Sequence, residues 1–217
     1  MKKLTTLLIL LLMLPTIGCK QPTPEQLIEK QGKAKMKALE KDGFSQIQKM
    51  ITDMLKYPES YQPISNDMSI ITNNMLIYDS KAFVALRDMH YAIKNFNKKY
   101  SDETIPQSAQ EELEYIQTMG GVVRDRINAI NNLPVMFEGI DVYHQFNVKD
   151  HHNKVMKTGY HFIVHKNDQI TLLCDQDDFL KVQTLIKQWF DYPSYSKEKP
   201  DSLDNYLNMK RERIQQK

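Results

Sequence analysis

Apolar residues near the start of the chain fall into a helical rhythm. Phe44, Ile47, Met50, Ile51, Met54 and Leu55 share one face, and the preceding stretch through Lys41 is rich in Lys, Gln and Glu. Thr23 followed by Pro24 and Gln26 fits an N-cap, a proline at the first helical position and a capping box. The pattern predicts a solvated stalk leading into a first core helix, with Gly43 as the interruption. Pro58 and Pro63 end it, because the residue before a proline is pushed toward extended backbone. Ser69 to Asp79 reads as a strand broken at Asn73-Asn74, and Lys81 to Tyr100 as a helix carrying Phe83, Leu86, His90, Ile93 and Phe96.

The most regular stretch is Gln107 to Leu133. Leu113, Ile116, Gly120, Val123, Ile127 and Ile130 alternate at spacings of three and four, the seam of a helix packed on another helix. Gly120 on that seam allows a close approach, although Gly120-Gly121 could instead split the helix in two. The period then drops to two. Ile140, Val142, His144, Phe146 and Val148 form one alternating set; Met156, Tyr160, Phe162 and Val164 a second; Ile170, Leu172 and Cys174 a third. Turn residues at Asp150-His151-His152-Asn153 and Asn167-Asp168 separate them, which predicts a three-stranded antiparallel meander. Asp177 or Asp178 is placed to cap a last amphipathic helix bearing Phe179, Val182, Leu185, Ile186 and Trp189.

The expected fold is therefore α+β. N-terminal helices, a long stalk helix plus a helical hairpin, pack with a small antiparallel β-meander and a C-terminal helix. The expected body is one domain over 25–192, with the helical part at 25–134 and the sheet and helix at 138–190. Residues 193–217 read as a polar C-terminal tail, a linker from Pro193 to Pro200 followed by a polar, frayed helix from Ser202 to Lys217.

The extreme N-terminus changes the picture of where this body resides. Lys2 and Lys3 precede an apolar run from Leu4 to Leu14, too short for the roughly 20 residues that span a bilayer and typical of a secretory leader. Pro15 breaks the run, and Gly18 precedes Cys19. Thr16-Ile17-Gly18-Cys19 resembles a bacterial lipoprotein signal, with Thr16 where leucine is usual. The resemblance implies that 1–18 is a removed signal peptide and that Cys19 carries acyl chains, palmitate among them, on a tether at 19–24. An ordinary secreted protein cut elsewhere is the alternative. Several acyl chains make a stable anchor, since each buried methylene contributes ~0.8 kcal/mol and one chain holds only marginally. Lys20 after the cysteine matches the enterobacterial pattern for the outer membrane, so the expected location is the cell envelope, lipid-anchored, at the outer membrane.

Loss of residues 1–18 removes two lysines and no acid, so the net charge of +2 becomes zero. A neutral body offers no electrostatic reason to bind nucleic acid. There are two cysteines, and with Cys19 acylated Cys174 stands alone, so no intrachain disulfide is expected and the fold rests on its core.

The candidate chemistry is thin. His161 and His165 share a strand face but lie ~13 Å apart at ~3.3 Å per residue, too far to share a zinc ion that needs each nitrogen at ~2 Å. His144 has the parity of Ile140 and Phe146 and should face the core, whereas His161 should face away. His151-His152 reads as a solvated turn pair, and His90 as a core histidine. Cys174 has core parity, which predicts an inert thiol rather than a nucleophile. Asp175, Asp177 and Asp178 lack the spacing and glycine of a calcium loop. No metal site, cofactor or catalytic residue is assigned. Tyr57, Tyr61, Tyr192 and Tyr195 cluster near prolines and can build a contact surface or simply pack their loops. Tyr57, Tyr61, His161 and His165 are the candidate binding surface.

Two segments, Leu55-Lys56-Tyr57-Pro58-Glu59-Ser60-Tyr61-Gln62-Pro63-Ile64 and His161-Phe162-Ile163-Val164-His165-Lys166-Asn167 with Leu172-Cys174-Asp175, resemble a family of small envelope lipoproteins of Bacteroides-type bacteria. Val164 stands where that pattern has Arg, and the Phe-Gly after the asparagine is missing. The resemblance implies a strand–turn–strand at Asn167 and supplies no substrate. The leading expectation is a non-enzymatic envelope protein, moored to the membrane by its lipid, that binds another envelope protein or a small ligand. The rivals are a surface hydrolase using His144 or His161 with carboxylates, and a purely structural component.

Overall fold

A computed structural model describes residues 21–100, 105–190 and 203–215. The leader, Cys19, the linker from Pro193 and the two tyrosines Tyr192 and Tyr195 lie outside the described residues. Six α-helices and one four-stranded antiparallel sheet make up the described fold, an α+β architecture as expected.

The first helix, α1 (Pro24–Asp42), begins with the capping box that its sequence predicts. The Gln26 amide donates to Thr23 Oγ1 at 3.3 Å, and the Thr23 amide donates to Gln26 Oε1 at 3.0 Å. Gly43 ends the helix at φ 63°, a left-handed conformation that costs glycine nothing sterically. The expected stalk is shorter than its composition suggests. Residues through 31 are largely exposed, but Gly32 is buried, and a Cβ there would lie 2.3 Å from Ile70 Cδ1. From that point α1 lies on the sheet, with Met36 and Leu39 against the core and Lys35 paired to the Asp168 carboxylate. A stretch rich in charge still docks when one small residue and two apolar ones face the same way. The next helix, α2 (Ser45–Met54), buries Ile47 and Ile51.

The strand expected at 69–79 is corrected in both directions. Strand β1 runs Gln62–Thr72, and Leu76–Tyr78 is a 3-10 turn with Leu76 and Ile77 fully buried. Leu76-Ile77-Tyr78 is a continuous apolar run without alternation, which suits a turn packed all round. Pro63 is tolerated because β1 is an edge strand. The sheet thus has four strands rather than three, in the order β1, β2 (Phe137–Lys149), β3 (Val155–His165), β4 (Ile170–Asp175). One row across it reads Ile70, Ile140, Val164, Ile170, so branched aliphatics pair on every strand.

Between β1 and β2 stands the expected helical hairpin, α3 (Ser80–Lys99) and α4 (Gln110–Asn131). All six seam positions of α4 are buried, and the helix continues through Gly120-Gly121. After β4 comes α5 (Gln176–Trp189), capped by Asp175 rather than by Asp177 or Asp178; the Asp178 amide donates to Asp175 Oδ1 at 2.8 Å. The C-terminal stretch forms the helix its sequence suggests, but that helix is packed on the body rather than frayed. Residues Leu203–Gln215 form α6, which packs on α4 with Leu203, Leu207 and Ile214 buried. Leu203 Cδ2 occupies the space of the missing Gly120 side chain, 2.4 Å from where its Cβ would stand. Lys210 is buried as well, its ammonium 5.9 Å from the Phe96 ring centroid and 5.5 Å from that of Tyr206, so a cation on the docking face finds aromatic partners.

Both faces of the sheet are therefore covered. Helices α1 and α2 close one face over Ile140, Val142, Phe146, Phe162 and Val164. The helical layer of α3 to α6 forms a second, larger core. The larger core reaches the sheet through Cys174 of β4, and Phe179 of α5, packed against that core, stacks on His161 of β3.

Candidate functional site

Adjacent positions on β2 and β3 place His144 and His161 on opposite sides of the sheet: Tyr160 pairs with His144, and His161 with Tyr143. The predicted parity holds. The inference that His161 faces solvent does not, because the second helical layer covers that face and leaves His161 5% exposed.

His144 is fully buried in neutral company. Its Nδ1–H donates to Asn66 Oδ1 at 2.5 Å, and Nε2 accepts from the Tyr61 hydroxyl at 2.6 Å. Burial disfavours the imidazolium and lowers the His144 pKa. Burial also pushes the Tyr61 phenol up to about 12.

His161 has a carboxylate for a partner. Its Nδ1–H lies 3.0 Å from both oxygens of Asp141, and Nε2 is 2.7 Å from the Gln176 side-chain amide. The Tyr78 hydroxyl donates to Asp141 Oδ2 at 3.1 Å. The ring lies between Phe179, 3.8 Å away and nearly parallel, and Tyr143 at 4.7 Å. Both nitrogens and both ring faces are thus occupied. Asp141 is a diagonal cross-strand neighbour of His161, and it was hidden in the sequence by its apolar flanks, Ile140 and Val142.

Cys174 is buried, and its thiol is pushed up to about 12 by burial first and then by Asp175, Asp178 and Asp141. It is a core side chain. Asp178 is held by the Tyr91 hydroxyl at 2.7 Å and Lys181 at 3.2 Å, so these acids serve the helix start and its surface. His151 and His152 are exposed in their turn, and His90 is half-buried. Among the described residues no group of three or more His, Cys, Asp or Glu is placed to hold a metal ion, and no helix is long and apolar enough to cross a membrane.

The four residues of the candidate binding surface do not share one surface. Tyr57 and Tyr61 are half-buried at the start of β1, with Tyr61 turned to His144 on the α1–α2 side. His161 is enclosed on the other side. His165, half-buried at the end of β3, lines an open recess. This cleft of about 280 Å³ lies between the helical hairpin and the sheet. Ile71, Ile130 and Ile163 form its apolar wall, and Arg126, Asp79, Glu138, His165 and Tyr78 are its charged or titratable members.

Local structure fixes each of these. Asp79 caps α3, its Oδ1 accepting from the Ala82 amide at 2.9 Å. Its Oδ2 accepts from Arg126 Nε at 3.0 Å and Nη2 at 2.6 Å, which raises the Arg126 pKa further. Glu138 meets Lys166 Nζ at 3.2 Å, and His165 Nε2 is 3.0 Å from the Thr171 hydroxyl. Asn73 pins the loop at the rim, donating to the Pro134 carbonyl and accepting from the Met136 amide, both at 2.9 Å. Arg126 and Asp79 are 47 residues apart, and nothing in the local sequence pairs them. No family model, curated protein or solved structure matches the chain.

Proposed function

We propose that the protein is a lipid-anchored cell-envelope protein, moored at the outer membrane through Cys19, whose body binds a small ligand or an envelope partner and does no covalent chemistry. The observation that carries the binding reading is the cleft beside Arg126 and His165, where apolar walls and a few polar groups converge as in ligand sites. The hydrolase alternative needs a histidine within reach of substrate. His144 and His161 each have both nitrogens bonded and are buried, which favours a structural role for both. A capped α1 beginning at Pro24 fits a tether only a few residues long after Cys19.

Two experiments test the halves of this reading. Cys19→Ala is expected to move the protein from the membrane fraction to the soluble fraction; retention in the membrane would contradict the anchor. A photoreactive amino acid at Leu133, on the cleft rim and 52% exposed, is expected to form adducts in intact cells that the same probe at exposed Glu29 does not. Equal labelling from both positions would contradict binding at the cleft.

A further inference from the structure

We infer that the outer face of α1 lies on an anionic bilayer surface, its lysines against the lipid phosphates; this deepens the anchor reading above and rests on it. Over Pro24–Asp42 the helix carries five lysines and four acids, so as a whole it is nearly neutral. Its faces are not. At ~100° per residue, Gly32, Met36 and Leu39 turn to the sheet, and Lys30, Lys33, Lys37 and Lys41 fall within about 80° of arc on the opposite side. Burial follows the same division: Gly32 is buried, Met36 and Leu39 are half-buried, and these four lysines are exposed. The fifth, Lys35, turns inward to Asp168. The acids lie off the row, with Glu29 and Glu40 bordering one edge and Glu25 and Asp42 further round. Glu29 meets Lys33 at 2.5 Å, an exposed pair that contributes little. Lys30, Lys37 and Lys41 make no ion pair among the described residues.

The row of cations is ~16 Å long at ~1.5 Å per residue, and it starts close to the anchor. Four residues separate Cys19 from Pro24, a reach of roughly 17 Å even when fully extended. Acyl chains on Cys19 therefore hold the start of α1 near the headgroups. Helices α1 and α2 form the layer on their side of the sheet, so α1 can lie flat with the body behind it. Leu27, 44% exposed, stands beside the row at its anchored end, an apolar group suited to the headgroup boundary. Each lysine near an anionic surface favours binding about fivefold. The chain without its leader has no net charge, so the attraction belongs to this face and not to the body as a whole.

The test attaches a fluorophore through Ala34→Cys, exposed among the lysines, and separately through Tyr115→Cys, 46% exposed on α4 in the layer across the sheet. Cys174 is buried and stays unlabelled. The full chain is mixed with excess vesicles of phosphatidylcholine, with or without phosphatidylglycerol, that carry a quencher on their headgroups. Quenching at Ala34 is expected to rise about twofold or more with phosphatidylglycerol and to fall back in about 1 M salt, where the screening length is ~3 Å. Quenching at Tyr115 is expected to follow neither. Lys30→Gln combined with Lys37→Gln should return Ala34 to the phosphatidylcholine level, a loss of roughly 25-fold in attraction, and circular dichroism checks that the variant keeps the fold. Equal quenching of Ala34 on both vesicles, no effect of salt, an unchanged double variant, or an equal response at Tyr115 would overturn the inference. Flotation on pure phosphatidylcholine reads the anchor separately. A chain that floats without phosphatidylglycerol-dependent quenching keeps its anchor and loses this surface; one that does not float loses the anchor, and the lysine face then stands or falls on the phosphatidylglycerol response alone.

Discussion

The two faces of the sheet solve the same problem in different ways. Each buries a histidine from the central strand pair, yet one surrounds it with neutral groups, Tyr61 and Asn66, and the other with a carboxylate, an amide and two stacked rings. The α1–α2 face is a small closed core. The opposite face supports a thicker helical layer, and at its edge the layer and sheet part to leave the Arg126–His165 cleft. The lesson is that a histidine in an unfamiliar chain is informative only once its partners are known. Here the two histidines that look most like catalytic candidates are spent on the fold.

The comparison can be broken most forcefully by truncating the smaller core. Phe146 is fully buried, and Phe146→Ala is expected to cost about 3–5 kcal/mol in urea denaturation. If the two faces form one cooperative unit, probes on both report the same shifted midpoint; separate transitions would make them independent units. Asp141→Ala is the next largest. It strips the partner from the His161 Nδ1–H inside the fold, an expected loss of about 1–3 kcal/mol. A neutral result would mean that the His161 ring reaches water.

Smaller effects sharpen the helical side. Gly121 has open space around its Cβ position, so Gly121→Ala should gain up to ~1 kcal/mol of helix propensity. Gly120→Ala must displace the buried Leu203 and should lose stability instead, with α6 becoming more exposed to protease. Equal gains at both sites would show that α6 does not rest on Gly120. The mildest perturbation is pH. His144 has a folded pKa below its unfolded value, so below about 6.5 the unfolded chain takes up protons that the folded one refuses. Its contribution is complete above that pH and is lost as pH falls through 6.5 toward the folded pKa. His90, lowered by burial and by Lys181 and Lys94, acts in the same direction. His144→Gln should flatten the slope of urea midpoints between pH 5 and roughly 7; an unchanged slope would remove His144 from the account.

Periodicity revealed most of the architecture. The six seam residues of α4, the Thr23–Gln26 cap and the parity of His144 against His161 were all legible, because each depends on neighbours close in sequence. What the pattern concealed came from distant partners. The α6 helix reads as polar and frayed until Gly120, Phe96 and Tyr206 give Leu203 and Lys210 somewhere to go. His161 looks exposed until Phe179 arrives from α5. The cleft depends on Asp79, Arg126 and His165, which belong to a helix cap, a helix flank and a strand end. No local rule joins three such residues, and only the packing of the hairpin on the sheet does.

The central claim is that the buried histidines serve the fold and are closed to substrate. Mapping the sites at which diethyl pyrocarbonate modifies imidazoles in the native protein tests it most directly. The account predicts rapid modification of His151 and His152, and protection of His144 and His161 until the chain is unfolded. Modification of His161 as fast as His151 in the folded state would place it at an open site and contradict the account.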